Sequence, residues 1–360
     1  MLLDITFRRV LGRWKSSPLL DLSFDNQNVL ITGGTAGLGL AAAVHFASQG
    51  ARVFITGRTE TRGRAAKQHI EQAARVDGKD RVVFMLLDMG TYTSCMLFVD
   101  ELKDRLATCG GLDVAVLSAG NINSRFEKSP EGWEQTIQVN TLSTTLLGLL
   151  LLAWMKSERP RREYPAHLVF VTSRDHLYPN IKNWPTWAEQ GGILSHLNSK
   201  ENWPDLWKTT LPNYANCKLL VMYAIAELSK QALDLNSEPQ VIVRSVCPGI
   251  VKTDIGRSVQ SRSMLLKIVG QVYFKILGKS PDHGAREFVR AALSSKNEHG
   301  KFSMTWLSSE GYRKKAIPNM TSQAGRKVQA IVWSEIIAEL TAKVPSLHHD
   351  EVTQRGENVQ

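Results

Sequence analysis

The segment NVLITGGTAGLGLAAAVHFA, residues 28–47, combines a strand, a turn and a helix in one short stretch. Its opening residues are mostly apolar or β-branched, which predicts a buried strand. Glycines then break that run, and an apolar helical pattern follows them. Glycines let the backbone approach a pyrophosphate closely, and the N-terminus of a helix supplies N–H donors to it. Because a glycine turn alone is common, the order of strand, turn and helix is what predicts dinucleotide binding here.

Short apolar runs and longer helical stretches alternate along the chain from residue 26 to about residue 247. Near-continuous apolar strands separated by helices predict an α/β fold whose parallel sheet is covered on both faces. Right-handed crossovers make it a doubly wound sheet, in which ligands bind beyond the carboxyl ends of the strands. The strand candidates are residues 28–32, 51–56, 81–87, 112–118, 167–173 and 240–247. The helical candidates are residues 38–49, 60–74, 92–108, 132–156 and 214–233.

The composition fits one large α/β domain or two small ones. The 360 residues are 43% hydrophobic, which is ample for a core, and the formal net charge is +10. That charge could serve a phosphate-bearing ligand, an anionic membrane surface or nucleic acid. The basic residues are dispersed without a nucleic-acid-binding motif, so we expect no nucleic-acid partner. The four cysteines lack metal-like spacing, which predicts a reducing, cytoplasmic setting and no metal site.

Two charged residues follow the second and third predicted strands. An enzyme that uses NAD usually places an acid after the second strand, where it holds the ribose 2′-hydroxyl. This chain has Arg58 there, and a guanidinium suits a 2′-phosphate, so the sequence favours NADP(H). Asp88 follows the third strand, where its carboxylate either accepts a hydrogen bond from an adenine amino group or caps the next helix.

Polar residues also follow the fifth and sixth strands. Ser173 ends a hydroxyl pair at the predicted mouth of the sheet. Pro248-Gly249 ends the sixth strand, and beyond it Val251 and Thr253 either reach a bound cofactor or belong to a plain turn. Asn140 lies within an otherwise strongly apolar helix, so its buried amide requires a hydrogen-bonding partner.

Tyr214 and Lys218 begin another apolar helical run. Residues four positions apart lie on the same side of a helix. Such pairs also arise by chance on core helices, so their spacing alone favours an ordinary helix face over a catalytic pair and leaves both open.

Taken together, these positions resemble the classical short-chain dehydrogenase/reductase family. The similarity covers residues 24–254, and the motifs occur in the order typical of that family. Within the family, the chain is similar to the retinol-dehydrogenase-like branch and to fungal members that modify secondary metabolites. The matching motifs are Thr-Gly-x-x-x-Gly-x-Gly at 32–39, Asp88, Ala119-Gly120, Asn140, Ser173, Tyr214-x-x-x-Lys218 and Pro248-Gly249.

The resemblance implies a single doubly wound Rossmann-type sheet with helices on both faces, a substrate-side insertion and C-terminal helices. It implies an NADP(H)-dependent oxidoreductase that interconverts a ketone or aldehyde and an alcohol on a lipophilic small molecule, such as a polyketide or terpenoid intermediate. The implied catalytic residues are Tyr214, Lys218, Ser173 and Asn140. The implied cofactor-binding residues are Gly33, Gly37, Leu38, Gly39, Arg58, Asp88, Asn140, Tyr214, Lys218, Val251 and Thr253.

The implied mechanism depends on the pKa of Tyr214. A phenol has an ordinary pKa of about 10, too high for a base near neutral pH. The Lys218 ammonium and a cationic nicotinamide would stabilise the phenolate, so that Tyr214 exchanges a proton with the substrate oxygen. Ser173 would orient that oxygen. By the resemblance, Lys218 also holds the nicotinamide ribose and Asn140 anchors a water that links Lys218 to solvent, and no metal is required.

The sequence departs from the family pattern at two places. Ser118 stands where an asparagine is usual, which predicts that a hydrogen bond supporting the sheet is lost or shortened. Ser173 and Tyr214 are also unusually far apart, and the intervening insertion, residues 174–213, contains four tryptophans: Trp184, Trp187, Trp203 and Trp207. We expect it to form a wall over the catalytic mouth for a bulky apolar substrate. The alternative is a surface addition with a small core of its own.

The predicted domain organisation is an N-terminal extension (1–23), the Rossmann-type domain (24–345) and a polar tail (346–360). Residues 1–23 mix aromatic and basic side chains that lie either on a membrane surface or on the protein body. By the resemblance, the segment from about residue 255 to residue 282 forms a substrate lid, which could also touch a membrane. The apolar run 142–155 is shorter than the roughly 20 residues needed to span a bilayer, which predicts a buried or subunit-interface helix in a monomer or homodimer.

Three other functions are compatible with parts of the pattern. One is a retinol- or steroid-type lipid dehydrogenase. A second is an epimerase or dehydratase of the extended branch, which usually spaces its glycines differently from residues 33–39. A third is a non-catalytic dinucleotide sensor, although a sensor would not need the intact set of asparagine, serine, tyrosine and lysine.

Overall fold

A parallel sheet of seven strands, in the order β3-β2-β1-β4-β5-β6-β7, forms the centre of the fold. The computed structural model describes residues 23–203, 213–252, 278–304 and 307–348. Every neighbouring pair of strands is parallel. The strands are β1 (Asn28–Thr32), β2 (Arg52–Gly57), β3 (Val82–Leu86), β4 (Val114–Leu117), β5 (Ala166–Val171), β6 (Val241–Cys247) and β7 (Phe302–Met304).

Helices connect the strands and cover the sheet. Within the long fourth helix, residues Gln138–Ser143 form a π-helical turn. The helices of the described residues are α1 (Gly37–Ser48), α2 (Glu60–Ala74), α3 (Tyr92–Leu106), α4 (Gln135–Ser157), α5 (Trp184–Glu189), α6 (Ile193–Leu197), α7 (Tyr214–Gln231), α8 (Pro281–Ala291), α9 (Ser309–Ala316) and α10 (Gln323–Lys343).

The core is divided between the two faces of the sheet. Successive side chains of a strand point to opposite faces. Accordingly, Leu30 of β1 packs with the face that carries α3, α4, α7 and α10, whereas Val29 and Ile31 pack with the face that carries α1, α2 and α8. The predicted α/β fold with a doubly wound parallel sheet covered on both faces is therefore confirmed.

The largest differences from the predicted elements lie in the C-terminal half. Strand β7 was not predicted because its three residues are too few to show a periodic pattern. It extends the sheet by pairing Ser245 of β6 with Phe302. The short helices α5, α6 and α9 were also not predicted. The C-terminal helices implied by the resemblance are present as α8 and α10.

The apolar run at 142–155 belongs to α4, which has 23 residues and is the one helix of the described residues long and apolar enough to cross a membrane. Within its most apolar window, 78% of the residues are buried inside the protein. Helix α4 therefore has the burial of a core helix, as expected from the sequence.

Several predicted segments lie wholly or partly outside the described residues. These are the extension 1–22, Trp207, Thr253, the greater part of the lid at 253–277, and the tail from residue 349. Residues Pro345–His348 form a short 3₁₀ turn. The domain boundaries given above remain predictions.

Candidate active site

The glycine turn after β1 is packed too closely to admit side chains. Gly33 has a φ of +69°, and a Cβ added to it would lie 2.9 Å from the Cα of Ala119. A Cβ on Gly39 would lie 2.4 Å from the carbonyl oxygen of Gly33. Gly37, at the first position of α1, also has a positive φ of 55°. The bare backbone and the start of α1 thus form a cradle that fits a pyrophosphate.

A threonine joins this turn to the neighbouring strand end. The Oγ1 of Thr32 accepts hydrogen bonds from the backbone N–H groups of Ser118 and Ala119, each at 3.0 Å. The backbone after β4 is therefore fixed to the end of β1 through Thr32. Both donors are backbone groups, so this link does not depend on the side chain at position 118, and the loss expected from Ser118 stays a prediction.

Asp88 and Arg58 lie exposed at the ends of β3 and β2. An Asp88 Oδ1 accepts a hydrogen bond from Gly90 N at 2.9 Å. Thr91, rather than Asp88, caps α3, since its side chain accepts from Ser94 N. The alternative that Asp88 caps the next helix is therefore wrong. Arg58 makes no hydrogen bond or ion pair with another described residue, so its guanidinium is available to an anionic ligand.

Helix α8 contributes a residue that the sequence did not indicate. A Cβ on Gly284 would lie 2.6 Å from Leu38 Cδ2 and 2.7 Å from Val251 Cγ2. Gly284 thus allows Leu38, from the glycine turn, and Val251, beyond β6, to pack against the same helix. Lys279, just before α8, bridges to Val251 in parallel. The two predicted cofactor-binding residues are brought together, whereas Thr253 lies outside the described residues.

The buried amide of Asn140 has the partner that its position required. It lies in the π-helical turn of α4, where its Oδ1 accepts from Asn121 N at 2.9 Å and its Nδ2 donates to Asn121 O at 2.8 Å. A Cβ on Gly120 would lie 3.0 Å from the same Oδ1. The side chain of Asn140 is thereby held against the segment that follows β4.

Ser173 and Tyr214 meet although a long insertion separates them in sequence. Ser173 caps the 3₁₀ turn Arg174–Leu177, and its Oγ accepts from Asp175 N at 3.2 Å. Its hydroxyl also lies close enough to the phenol of Tyr214 to lower the pKa of Tyr214. Tyr214 is the first residue of α7, and the preceding Asn213 donates from Nδ2 to Leu197 O at 3.0 Å. The last turn of the insertion's α6 therefore helps to fix where the catalytic helix begins.

Lys218 lies one helical turn beyond Tyr214 and is buried. Its Nζ donates to Val171 O at 3.2 Å and lies 5.5 Å from the centre of the Tyr214 ring. Burial lowers the pKa of Lys218 to about 8. The spacing in α7 therefore brings the ammonium beside the phenol, at the carboxyl end of β5.

With the groups of the chain alone, the pKa of Tyr214 lies above its ordinary value. Burial raises this pKa above its usual value, and the Asp175 carboxylate raises it further. The Asp175 carboxyl has a raised pKa of its own, mainly through burial. The groups of the chain alone do not lower the pKa of Tyr214, because the desolvation of the phenol outweighs the opposing effect of Ser173. The stabilisation predicted from Lys218 together with a cationic nicotinamide stays a prediction.

The insertion packs on the C-terminal helix rather than standing apart from the body. Glu335 of α10 accepts hydrogen bonds from Ile193 N and Leu194 N, both at 2.8 Å, at the start of α6. Trp184 is buried in the main core, so it does not line an open mouth as predicted. Trp187 stacks on His196 at 3.8 Å between ring centres.

The third described tryptophan of the insertion lies beside the segment that follows β4. The rings of Trp203 and Phe126 meet edge to face at 5.4 Å, and both residues are partly exposed. Of the pair, Trp203 belongs to the insertion, and its partial exposure remains compatible with a substrate wall. The indole N–H of Trp203 is buried without a hydrogen-bonding partner among the described residues.

Comparisons with known proteins agree with this arrangement. The family model for short chain dehydrogenases matches residues 27–185. A short-chain dehydrogenase/reductase of Aspergillus flavipes, ffsI, is 33% identical over 90% of this chain and 89% of its own length. The chain belongs to the short-chain dehydrogenase/reductase family. A second member, phmF of Phaeosphaeria nodorum, is 32% identical over 90% of this chain and 89% of its own.

Solved structures share the fold of this family member. A short-chain type dehydrogenase/reductase from Mycobacterium ulcerans superposes with a TM-score of 0.54 at 19% identity, covering 78% of this chain and 88% of that one. As a short-chain dehydrogenase/reductase, the chain is an oxidoreductase of a family that uses nicotinamide dinucleotides and acts on small molecules. The matched region ends before Tyr214, so the roles of Tyr214 and Lys218 are argued from geometry.

Proposed function

We propose that the chain is an NADP(H)-dependent enzyme that interconverts a ketone or aldehyde and an alcohol on a lipophilic small molecule, with Tyr214 as acid and base. One observation carries this proposal: the hydroxyl of Ser173 lies close enough to the phenol of Tyr214 to lower its pKa, although a long insertion separates the two residues. Lys218, at 5.5 Å from the phenol ring, completes the group. Ordinary packing of a core helix does not explain why these three polar side chains meet at the mouth of the sheet.

The raised pKa of Tyr214 suits the reductive direction. At neutral pH the buried phenol keeps its proton and can donate it to a carbonyl oxygen that is gaining negative charge. The Ser173 hydroxyl lies beside it and can donate a second hydrogen bond to that oxygen, which favours the transition state over the ground state. A bound nicotinamide cofactor supplies the hydride in this direction and, when oxidised, a positive charge.

Several residues fit that cofactor. The glycine turn admits the pyrophosphate because a Cβ on Gly33 or Gly39 would collide with backbone. Asp88 is exposed and suits the adenine amino group, and Lys218 suits the nicotinamide ribose. Arg58 is exposed and has no partner among the described residues, and the sequence has no acid at the end of β2; both observations support a 2′-phosphate and therefore NADP(H).

The substrate is proposed to be apolar and bulky, such as a polyketide or terpenoid intermediate of secondary metabolism. The fungal relatives and the partly exposed aromatic pair of Phe126 and Trp203 support this class. Aromatic side chains offer large apolar contact areas to such a molecule.

Tyr214→Phe tests the proposal directly. Purified wild type is assayed with NADPH and NADH against lipophilic ketones, including decalone and benzylacetone, and with NADP and NAD against the matching alcohols. The variant should lose about 1,000-fold in kcat, because general acid catalysis contributes about 10²–10⁴-fold. NADPH binding, followed by its fluorescence, should be retained.

The control is Tyr164→Phe, since Tyr164 is 72% exposed and precedes β5 at the opposite end of that strand. It should leave kcat unchanged. A Tyr214→Phe enzyme that kept most of its turnover would contradict the assignment. In parallel, Arg58→Ala should weaken NADPH binding about tenfold and leave NADH binding unchanged, since one charge-assisted contact contributes about 1.5–3 kcal/mol.

A further inference from the structure

A buried histidine connects the backbone of Ser173 to the C-terminal part of the chain. His176 lies in the 3₁₀ turn that Ser173 caps, and its side chain is completely buried. Its Nδ1 lies 2.6 Å from the carbonyl oxygen of Ser173, and its Nε2 lies 3.1 Å from the hydroxyl of Tyr312 in α9. The proposed reaction does not use this imidazole, which lies behind the serine rather than beside the phenol.

The direction of each hydrogen bond follows from the chemistry of the partners. A carbonyl oxygen only accepts, so Nδ1 carries the proton and donates it to Ser173. Burial lowers the pKa of His176 to about 4, so the ring is neutral at physiological pH and Nε2 is an acceptor. Tyr312 must then donate to Nε2, and burial raises the pKa of Tyr312 so that it keeps its proton. The three residues therefore form a chain of hydrogen bonds in which Tyr312 donates to His176 and His176 donates to Ser173.

Aromatic packing fixes the plane of this imidazole. The ring of Phe302, from β7, meets His176 edge to face at 4.9 Å between ring centres. The same Phe302 ring lies 4.6 Å from the ring of Tyr312. Because the imidazole is held on one side by Phe302 and bonded at both nitrogens, it has a single orientation and a single tautomer.

A second link joins the same turn to the catalytic helix. Asn319 donates from Nδ2 to the carbonyl oxygens of Pro179, at 3.0 Å, and of His176, at 3.4 Å. The carbonyl oxygen of Asn319 accepts from the hydroxyl of Tyr223 at 2.8 Å, and Tyr223 lies on α7 with Tyr214. The segment after Ser173 and the helix that begins with Tyr214 are thus both bonded to one buried residue of the C-terminal part.

We propose that His176 is a positioning residue for the reaction: its Nδ1–H holds the carbonyl of Ser173 so that the serine hydroxyl stays in register with Tyr214. Tyr312 sets the tautomer of His176, and Asn319 sets the distance between the turn and α7. This inference deepens the proposed function and rests on it for its catalytic consequence. Displacement of a reacting group by about 1 Å can cost about 100-fold in rate. Loss of the contact to the Ser173 backbone should therefore lower the rate.

The kinetic test compares three variants in the full chain, using NADPH and the ketone that the wild type reduces fastest. His176→Asn keeps an amide N–H where Nδ1 stood, His176→Phe keeps an aromatic ring without the donor, and Tyr312→Phe removes only the donor to Nε2. We expect His176→Phe to lose about 30-fold in kcat and His176→Asn to stay within about threefold of wild type. Tyr312→Phe should fall between them, and NADPH affinity by fluorescence should be unchanged in all three.

A spectroscopic readout does not depend on activity. Imidazole nitrogen NMR should show His176 as the neutral Nδ1–H form from pH 8 down to about pH 5, because its pKa is about 4. The chain has nine histidines, so the signal is identified by its loss in His176→Asn. If His176→Phe fails to fold, Tyr312→Phe and this measurement still test the proposal.

Two results would overturn the inference. One is an equal loss of kcat in His176→Asn and His176→Phe, which would mean that the ring only fills space. The other is a wild-type His176 that is protonated at pH 7 or carries its proton on Nε2. A failure of the proposed function is distinguishable, because it would appear as full turnover in Tyr214→Phe and leave the tautomer of His176 unchanged.

Discussion

The cofactor side and the substrate side of this site are assembled in different ways. On the cofactor side, Thr32 ends β1, the glycine turn follows it directly, and Asp88 lies just beyond β3. On the substrate side, two residues far along the chain support Ser173 and Tyr214: Glu335 caps the insertion's α6, and Tyr312 bonds to His176 beside Ser173. One side is determined by local sequence and the other by long-range contacts.

This difference explains how one fold can keep its cofactor and change its substrate. The turn at Gly33 and Gly39 tolerates no added atoms, because backbone lies within 3 Å of a Cβ at either position. The insertion rests on α10 through capping bonds and partly exposed aromatic rings, which are replaceable. We therefore expect substitutions on the two sides to separate cofactor binding from substrate binding.

The largest effect should come from Gly39→Ala on the cofactor side. The new Cβ would lie 2.4 Å from the carbonyl oxygen of Gly33, so the turn must shift. Overpacking of this kind costs about 1–3 kcal/mol, which corresponds to roughly 10- to 100-fold weaker NADPH binding. NADPH fluorescence titration measures this loss.

The control variant also introduces alanine, but at an exposed position at the end of α1. Ser48→Ala should bind NADPH like the wild type. Equal binding by Gly39→Ala and wild type would mean that the turn does not hold the cofactor, and the contrast between the two sides would then be lost.

On the substrate side, Glu335→Ala should give a smaller and different effect. Without the carboxylate, Ile193 N and Leu194 N lose their acceptor, and loss of a cap costs about 0.5–2 kcal/mol. We expect hydrogen exchange of residues 184–198 to accelerate and KM for the ketone to rise about fivefold. NADPH affinity should not change.

Two further variants test whether the effect depends on the acceptor oxygens of Glu335. Glu335→Gln keeps one acceptor oxygen and should fall between Glu335→Ala and wild type, whereas Lys327→Ala, at an exposed position of α10, should have no effect. An accelerated exchange without any change in KM would show that the insertion is not a wall of the substrate site.

A third effect concerns stability where the two sides meet. The pKa of buried Lys218 is lowered from 10.5 to about 8, so the unfolded chain binds more protons than the folded one between these pH values. The free energy of unfolding should therefore rise with pH in this window, by about 3 kcal/mol from this group. Urea unfolding of wild type and Lys218→Met isolates the contribution, because other titrating groups are common to both.

The variant should be the more stable protein at pH 8 and should lose that advantage by about pH 10. Parallel stability curves for the two proteins over this range would show that Lys218 is not desolvated as the structure indicates.

Much of the cofactor side could be predicted from sequence because its signals are local. Residues 28–32 and 60–74 matched β1 and α2 to the residue, and the glycine turn follows its strand directly. Helical spacing singled out Tyr214 and Lys218 as a pair, and the resemblance to the family supplied their predicted roles. The direction of the pKa shift at Tyr214 could not be predicted, since it depends on how deeply the folded chain buries the phenol and on where Asp175 lies.

The rest required tertiary structure. Asn121, the partner of Asn140, binds through its backbone, which leaves no signal in the sequence. Gly284 looks like any glycine in a helix until its distance to Leu38 is known. His176 lies three residues after Ser173, a spacing that hints at a turn, but its link to Tyr312 spans more than a hundred residues. Asn319 matched a glycosylation sequon, whereas its amide is buried and bonded inside the protein.

The role of Asn319 has a consequence for biosynthesis. Ribosomes add about 5–20 residues per second, and domains begin to fold from the N-terminus. All pairings among β1, β2, β3 and β4 lie within residues 28–117, so the cofactor half can form early. The bonds of Asn319 to the turn after Ser173 and to the helix of Tyr214 form only once Asn319 has been made, several seconds after Tyr214. A nascent chain would therefore acquire its nucleotide cradle well before it could catalyse a reaction.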